Sequence, residues 1–193
     1  FRMNDDHGND FLRTQFRAML RAGFFGPVRI LLPMVTLAAE VEQARKILKE
    51  CYLELQKARV PVPPTLPPLG TMIEIPAAAL AADSLAAVSD FFALGTNDLV
   101  QYTMAIDRGN DQVAHLFNPL NPAVLRLMEF SIQAGLRAGI PVSICGEMAA
   151  DPKYTALLVG LGIREMSMGF ASLPRIKQRV RELTIEKADA HAR

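Results

Sequence analysis

At 193 residues, half of them apolar and 21% charged, the chain is long enough for one domain with a proper core and too apolar for disorder. A net charge of +1, with scattered arginines and no Trp, gives no electrostatic basis for binding nucleic acid or an acidic membrane surface. No apolar run approaches the roughly 20 residues that span a bilayer, and residues 1–7 are polar and acidic where a secretory leader is basic and then apolar.

Leu12, Phe16, Met19 and Leu20 lie on one face of a first helix, which Asp10 is placed to cap and Gly23 to end. Residues 28–34 form a near-continuous apolar run of the kind found in strands buried on both faces. Val41, Ala44, Leu48, Cys51 and Leu55 recur at helical spacing and predict a helix of roughly 20 residues. The proline-rich stretch 61–68 reads as a stiff extended connector. Further strands are predicted at 69–75, 91–95, 142–145 and 165–168. Between and after them fall an alanine-rich helix at 77–88, a helix opened by Asn121-Pro122 and closed by Gly135 or Gly139, one capped by Asp151-Pro152, and a last one at 173–183.

This alternation predicts an α/β fold with a parallel sheet and crossover helices. Periodicity leaves an open doubly wound sheet and a barrel equally open. Five strand–helix units are too few for a closed eight-stranded barrel. A partial sheet also has open edges, which a partner or self-association would have to cover. The two cysteines, Cys51 and Cys145, make neither a metal pair nor a disulfide framework, so a reducing, cytoplasmic location is expected. The missing initiator Met is what a fragment would show.

In parallel α/β folds ligands bind at the carboxyl ends of the strands. Glu74, in an otherwise apolar strand, is costly to bury unpaired. It reads either as the partner of an arginine such as Arg29 or, with Asp98, as a hard-oxygen metal site. Gly95-Thr96-Asn97-Asp98 alone could be a plain turn into a helix cap, and Asp107 to Asp111 a solvated turn with a local ion pair. Cys145 alone would be a structural cysteine, but it stands at a strand end before Gly146, with Glu147 as a cap or supporting partner. Cys51 reads as core, and His7, His115 and His191 have no catalytic setting.

Together these segments resemble one family. Residues 91–111, FFALGTNDLVQYTMAIDRGND, closely resemble the signature of the PEP-utilising enzymes, and Gln101-Tyr102-Thr103 with Asp107 to Asp111 favour enzyme I of the bacterial sugar phosphotransferase system. Residues 70–78, 118–125 and 145–149 complete the pattern in order, so the similarity runs from about 11 to 183. Ala150 departs from it, since the family more usually has Gly there.

The resemblance implies a TIM-type (β/α)8 barrel with about five of its eight units in this chain. Residues 1–193 would form one partial, C-terminal PEP-binding domain, with 184–193 as a flexible tail. It implies Mg²⁺ held by Glu74 and Asp98, phosphoenolpyruvate contacted by Asn97, Asp98, Arg108 and Arg29, and Cys145 as the proton donor to enolpyruvate. The phosphoryl group would pass to a histidine on a separate swivelling domain and then to the carrier protein HPr, with pyruvate released and the whole protein a homodimer. That histidine and two further arginines are not in this sequence, so the chain alone is expected not to phosphorylate HPr. A dikinase- or synthase-type barrel, and a non-catalytic dimerisation remnant, are the alternatives.

Overall fold

The structure, a computed structural model, describes residues 6–192. Helix α1 (Asp6–Ala22) buries Leu12, Phe16 and Leu20 along one stripe. It starts ahead of Asp10, whose carbonyl accepts the Thr14 hydroxyl at 2.9 Å, so Asp10 is a helical residue and not the cap expected of it. Strand β1 (Ile30–Leu32) leads to α2 (Ala38–Lys57), where the Glu40 carboxylate reaches back to accept the Thr36 and Leu37 amides at 2.7 and 2.9 Å. The Tyr52 hydroxyl donates to the Pro63 carbonyl at 2.9 Å and ties the proline connector to α2.

Strand β2 (Leu69–Ile73) is followed by α3 (Pro76–Leu80) and α4 (Ala82–Ala86), two short helices where one was expected. They part at Ala81, whose carbonyl takes both the amide and the hydroxyl of Ser84, at 3.1 and 2.8 Å, in a tightened turn. Strand β3 (Phe92–Gly95) runs directly into α5 (Thr96–Met104). Helix α6 (Pro122–Ala138) opens as its sequence predicts. Asn121 Oδ1 accepts the Ala123 amide at 2.9 Å, and Gly139 closes the helix at φ +71°. Strand β4 (Val142–Cys145), α7 (Glu147–Ala150), α8 (Thr155–Gly160) and β5 (Glu165–Met166) follow. The chain continues through α9 (Leu173–Arg181) and α10 (Ile185–Ala192). Within the stretch 184–193 expected as a flexible tail, Ile185–Ala192 are thus helical; α10 packs on α8 and buries Ala188.

All five strands are parallel and pair in the order β1-β2-β3-β4-β5. Right-handed crossovers in a sheet of strictly sequential order put every helix on the same face, whereas a doubly wound sheet reverses its order at a switch point. The structure therefore decides for a barrel wall. Ile30, Leu32, Leu69, Ile73, Phe92, Leu94 and Ile144 pack into the core beneath the helices. The alternate residues, among them Met72, Ala93, Ser143 and Cys145, face the interior.

One interior layer can be followed across the wall. The Arg29 guanidinium, ahead of β1, lies 5.3 Å from the centre of the Phe91 ring, ahead of β3, and 3.3 Å from both oxygens of Glu165 at the start of β5. In a flat sheet β1 and β5 would be about 19 Å apart, beyond the reach of these two side chains. Here the wall curls until its outer strands meet through the interior. Side chains from alternate strands sharing a layer are the packing of a closed (β/α)8 barrel, in which the first and fifth strands stand opposite each other. The structure thus has five units of that architecture.

Candidate functional site

The strand register brings three of the predicted side chains to one rim. Ile73 pairs with Leu94, and Gly95 with Cys145, so Glu74, Asp98 and Cys145 emerge together at the carboxyl ends of β2, β3 and β4. Asp98 lies within hydrogen-bonding reach of Glu74, and both carboxylates act electrostatically on the Cys145 thiol.

Glu74 is 4% exposed and pairs with no arginine among the described residues; the Met34 amide donates to its Oε1 at 2.7 Å. Met34 holds φ +55° to present that amide, a left-handed conformation that non-glycine residues seldom adopt. Burial pushes the Glu74 carboxyl above its ordinary pKa, the Met34 amide works against this, and the neighbouring Asp98 charge adds to the rise. Gly95 supplies the room, because a Cβ there would stand 2.8 Å from Glu74 Oε2.

Cys145 is half-buried, with Sγ 3.4 Å from the Leu94 carbonyl. Burial, then the charges of Glu74 and Asp98, push its thiol pKa up, so the protonated form is held at neutral pH. The other cysteine is core, as expected: Cys51 is fully buried on α2 against the Arg13 carbonyl of α1.

Asn97 and Asp98 sit in the first turn of α5, where backbone amides have no partner within the helix and favour an anion. Asn97 Oδ1 accepts the Glu147 amide at 3.0 Å, joining the start of α5 to that of α7. Arg108 stands on the loop after α5, half-exposed, with Nη1 3.9 Å from Glu147 Oε1. Its ion pair is thus across the rim and not the local one expected; Asp107 instead accepts the Gly109 amide at 2.8 Å.

Arg29 is not brought to this rim. It precedes β1, and the amino end of a parallel sheet is the opposite rim from Glu74, Asp98 and Cys145. Its charge is matched there by Glu165 at 3.3 Å, and no Arg29–Glu74 pair forms. The signal was present in the sequence, since a residue at the start of a strand lies at the wrong end for a ligand in this class of fold.

Sequence reading missed the Met34 amide and the space-making role of Gly95 and Gly146; glycines directly at two strand exits were the available signal. Ala150 has no positive φ, which explains why it is tolerated. His115 is exposed on a 3-10 turn, while the side chains of His7 and His191 lie outside the described residues.

Glu74 and Asp98 are adjacent carboxylates with no salt bridge among the described residues, and no group of three or more His, Cys, Asp or Glu side chains converges on a metal position there. Two hard oxygens side by side, one of them buried, suit a divalent cation that keeps its other positions for water and ligand oxygens. A transition-metal cage would need more.

Comparison with known proteins shows the family. The chain matches the PEP-utilising enzyme, PEP-binding domain family over residues 2–185. It is 47% identical over 176 residues to a phosphoenolpyruvate-protein phosphotransferase of Cupriavidus necator, covering 91% of this chain and 30% of that protein. With one of Streptococcus equinus the identity is 45% over 185 residues, covering 96% and 32%. The chain therefore spans about a third of the length of these relatives. A citrate lyase structure from Burkholderia xenovorans LB400 shares the fold, with a TM-score of 0.66 at 20% identity over 92% of this chain and 55% of that one. The chain belongs to the PEP-utilising enzyme family, as its PEP-binding domain.

Proposed function

We propose that this chain is the phosphoenolpyruvate-binding catalytic domain of a phosphoenolpyruvate-protein phosphotransferase of the enzyme I type. The observation that carries the reading is the convergence of Glu74, Asp98 and Cys145 at one rim, beside the first turn of α5. The names of the relatives support the phosphotransferase class over a dikinase or a non-catalytic remnant.

In this reading Glu74 and Asp98 hold Mg²⁺, which when bound supplies positive charge against the ligand's phosphate and carboxylate oxygens. The amides of the first turn of α5, the Asn97 side chain and the Arg108 guanidinium orient the anionic substrate. Among the described residues, Arg108 has only a long, solvent-screened contact with Glu147 to give up. The P–O bond of phosphoenolpyruvate breaks as a P–N bond forms to a histidine on a separate domain, leaving pyruvate enolate. Cys145 then gives its proton to the methylene carbon, pyruvate leaves, and solvent reprotonates the thiolate. A thiol whose pKa is pushed up by burial and nearby carboxylates is kept loaded with the proton this step needs. Transfer onward to HPr, a homodimeric assembly and a cytoplasmic location in sugar transport complete the proposal on the strength of the resemblance. No helix among the described residues is long and apolar enough to cross a membrane.

Isothermal titration of the chain with phosphoenolpyruvate tests the reading. Binding should require Mg²⁺ and weaken by about tenfold or more, roughly 1.4 kcal/mol, in D98N. Equal heats with and without the metal would refute it.

A further inference from the structure

Thr96 takes no part in the chemistry above, yet it is 1% exposed and its hydroxyl donates to the Cys145 carbonyl at 2.8 Å, across from β3 to β4. The next residue, Gly146, has φ +91° and ψ −172°, a combination essentially confined to glycine. A Cβ there would stand 2.5 Å from Thr96 Oγ1 and 3.0 Å from Asn97 Oδ1. One residue further, the Glu147 amide donates to Asn97 at 3.0 Å. The exit of β4 is therefore held at the Cys145 carbonyl and at the Glu147 amide by the side chains of Thr96 and Asn97, with Gly146 between them at a place that has no room for a Cβ. Beyond β4 the sheet offers this segment little else, because β5 ends at Met166, which pairs with Ile144.

We propose that Thr96 is a positioning residue for Cys145, fixing the backbone from which the thiol is aimed at the ligand position over Glu74 and Asp98. The use to which the thiol is put rests on the proposed function; the clamp is a property of the β3–β4 exit. A buried hydroxyl whose acceptor is the carbonyl of the proton donor itself acts through geometry. Its loss leaves the Cys145 carbonyl without the buried side-chain donor that ties it to Thr96. The segment is then freed to turn, and the thiol with it.

The test compares wild type, T96V, which keeps the shape and removes the hydroxyl, and T96S, which restores the hydroxyl. The rates of iodoacetamide alkylation of Cys145 and Cys51 are read separately by peptide mass spectrometry at one fixed pH, with and without phosphoenolpyruvate and Mg²⁺. T96V is expected to raise labelling of Cys145 by about fivefold or more while leaving buried Cys51 unchanged, and to weaken protection of Cys145 by the ligand; T96S returns both to wild-type behaviour. Unchanged Cys145 labelling in T96V, a parallel rise at Cys51 that signals general loosening, or failure of T96S to restore the rate would each overturn the assignment. Wild-type Cys145 that phosphoenolpyruvate never protects would count against the ligand reading instead, with the ratio of Cys145 to Cys51 labelling still deciding the clamp.

Discussion

Arg29, just ahead of β1, and Glu165, in β5, meet at 3.3 Å although β1 and β5 are the two outermost strands of the sheet. This contact defines the curvature of the wall, and it removes Arg29 from the ligand rim. R29A is accordingly expected to lower stability by about 1–2 kcal/mol, the combined scale of a half-exposed ion pair and a cation–π contact. Phosphoenolpyruvate affinity should stay within about twofold, as for substitutions far from a site. Urea midpoints and titration calorimetry on the same samples check both halves; intact stability with lost affinity would return Arg29 to the substrate.

Glu74 sets a pH dependence whose sign follows from its raised pKa. Between the ordinary value of about 4.3 and the raised one, the folded chain binds more protons than the unfolded chain, so this group's contribution to stability falls as pH rises through that window. E74Q keeps an oxygen for the Met34 amide and removes the titration. In chelated, metal-free buffer the stability of wild type relative to E74Q should be constant below about pH 4, decline through the window and level off above it. A difference that is flat, or that moves toward wild type as pH rises, contradicts the burial of an unneutralised carboxyl.

Gly95 separates the need for space from the need for flexibility, since it has no positive φ. G95A puts a methyl 3.0 Å from Glu74 Cβ as well as against Oε2, and should cost about 1–3 kcal/mol by overpacking while weakening Mg²⁺-dependent ligand binding. G26A, where nothing lies within 4 Å, is the neutral control. Thermal denaturation of the pair reads the difference, and equal behaviour would mean that Glu74 yields freely.

The fold was legible in the sequence wherever local chemistry decides it. The Asn121-Pro122 opening and the Gly139 close of α6 lie where cap residues put them, and β4 spans the predicted residues. What failed did so for reasons outside the apolar pattern. Asp10 is a good cap residue overtaken by a helix that continues upstream, and the alanine-rich segment breaks at Ala81 because Ser84 bonds back to it. The choice between an open sheet and a barrel rests on pairing order and on Arg29 reaching Glu165, and neither leaves a periodic trace. Glu74, Asp98 and Cys145 were readable as residues after strands, whereas the Met34 amide was not, because a backbone donor from a neighbouring loop has no sequence letter.

The N-terminal cap of α6 provides a stability marker remote from the chemistry. N121A removes the acceptor of the Ala123 amide and should cost about 1 kcal/mol, with N121D close to wild type and ligand binding unchanged in both. Denaturant midpoints decide; an unaltered midpoint in N121A would show that α6 is held by packing alone.

The most direct measurement places a paramagnetic ion where Mg²⁺ is proposed. With Cys145 and Cys51 labelled with ¹³C at Cβ, adding Mn²⁺ together with phosphoenolpyruvate should broaden the Cys145 resonance and spare that of Cys51, and E74Q with D98N in one chain should abolish the effect. Equal broadening of both cysteines, or a Cys145 signal indifferent to Mn²⁺ and ligand, would contradict a shared rim.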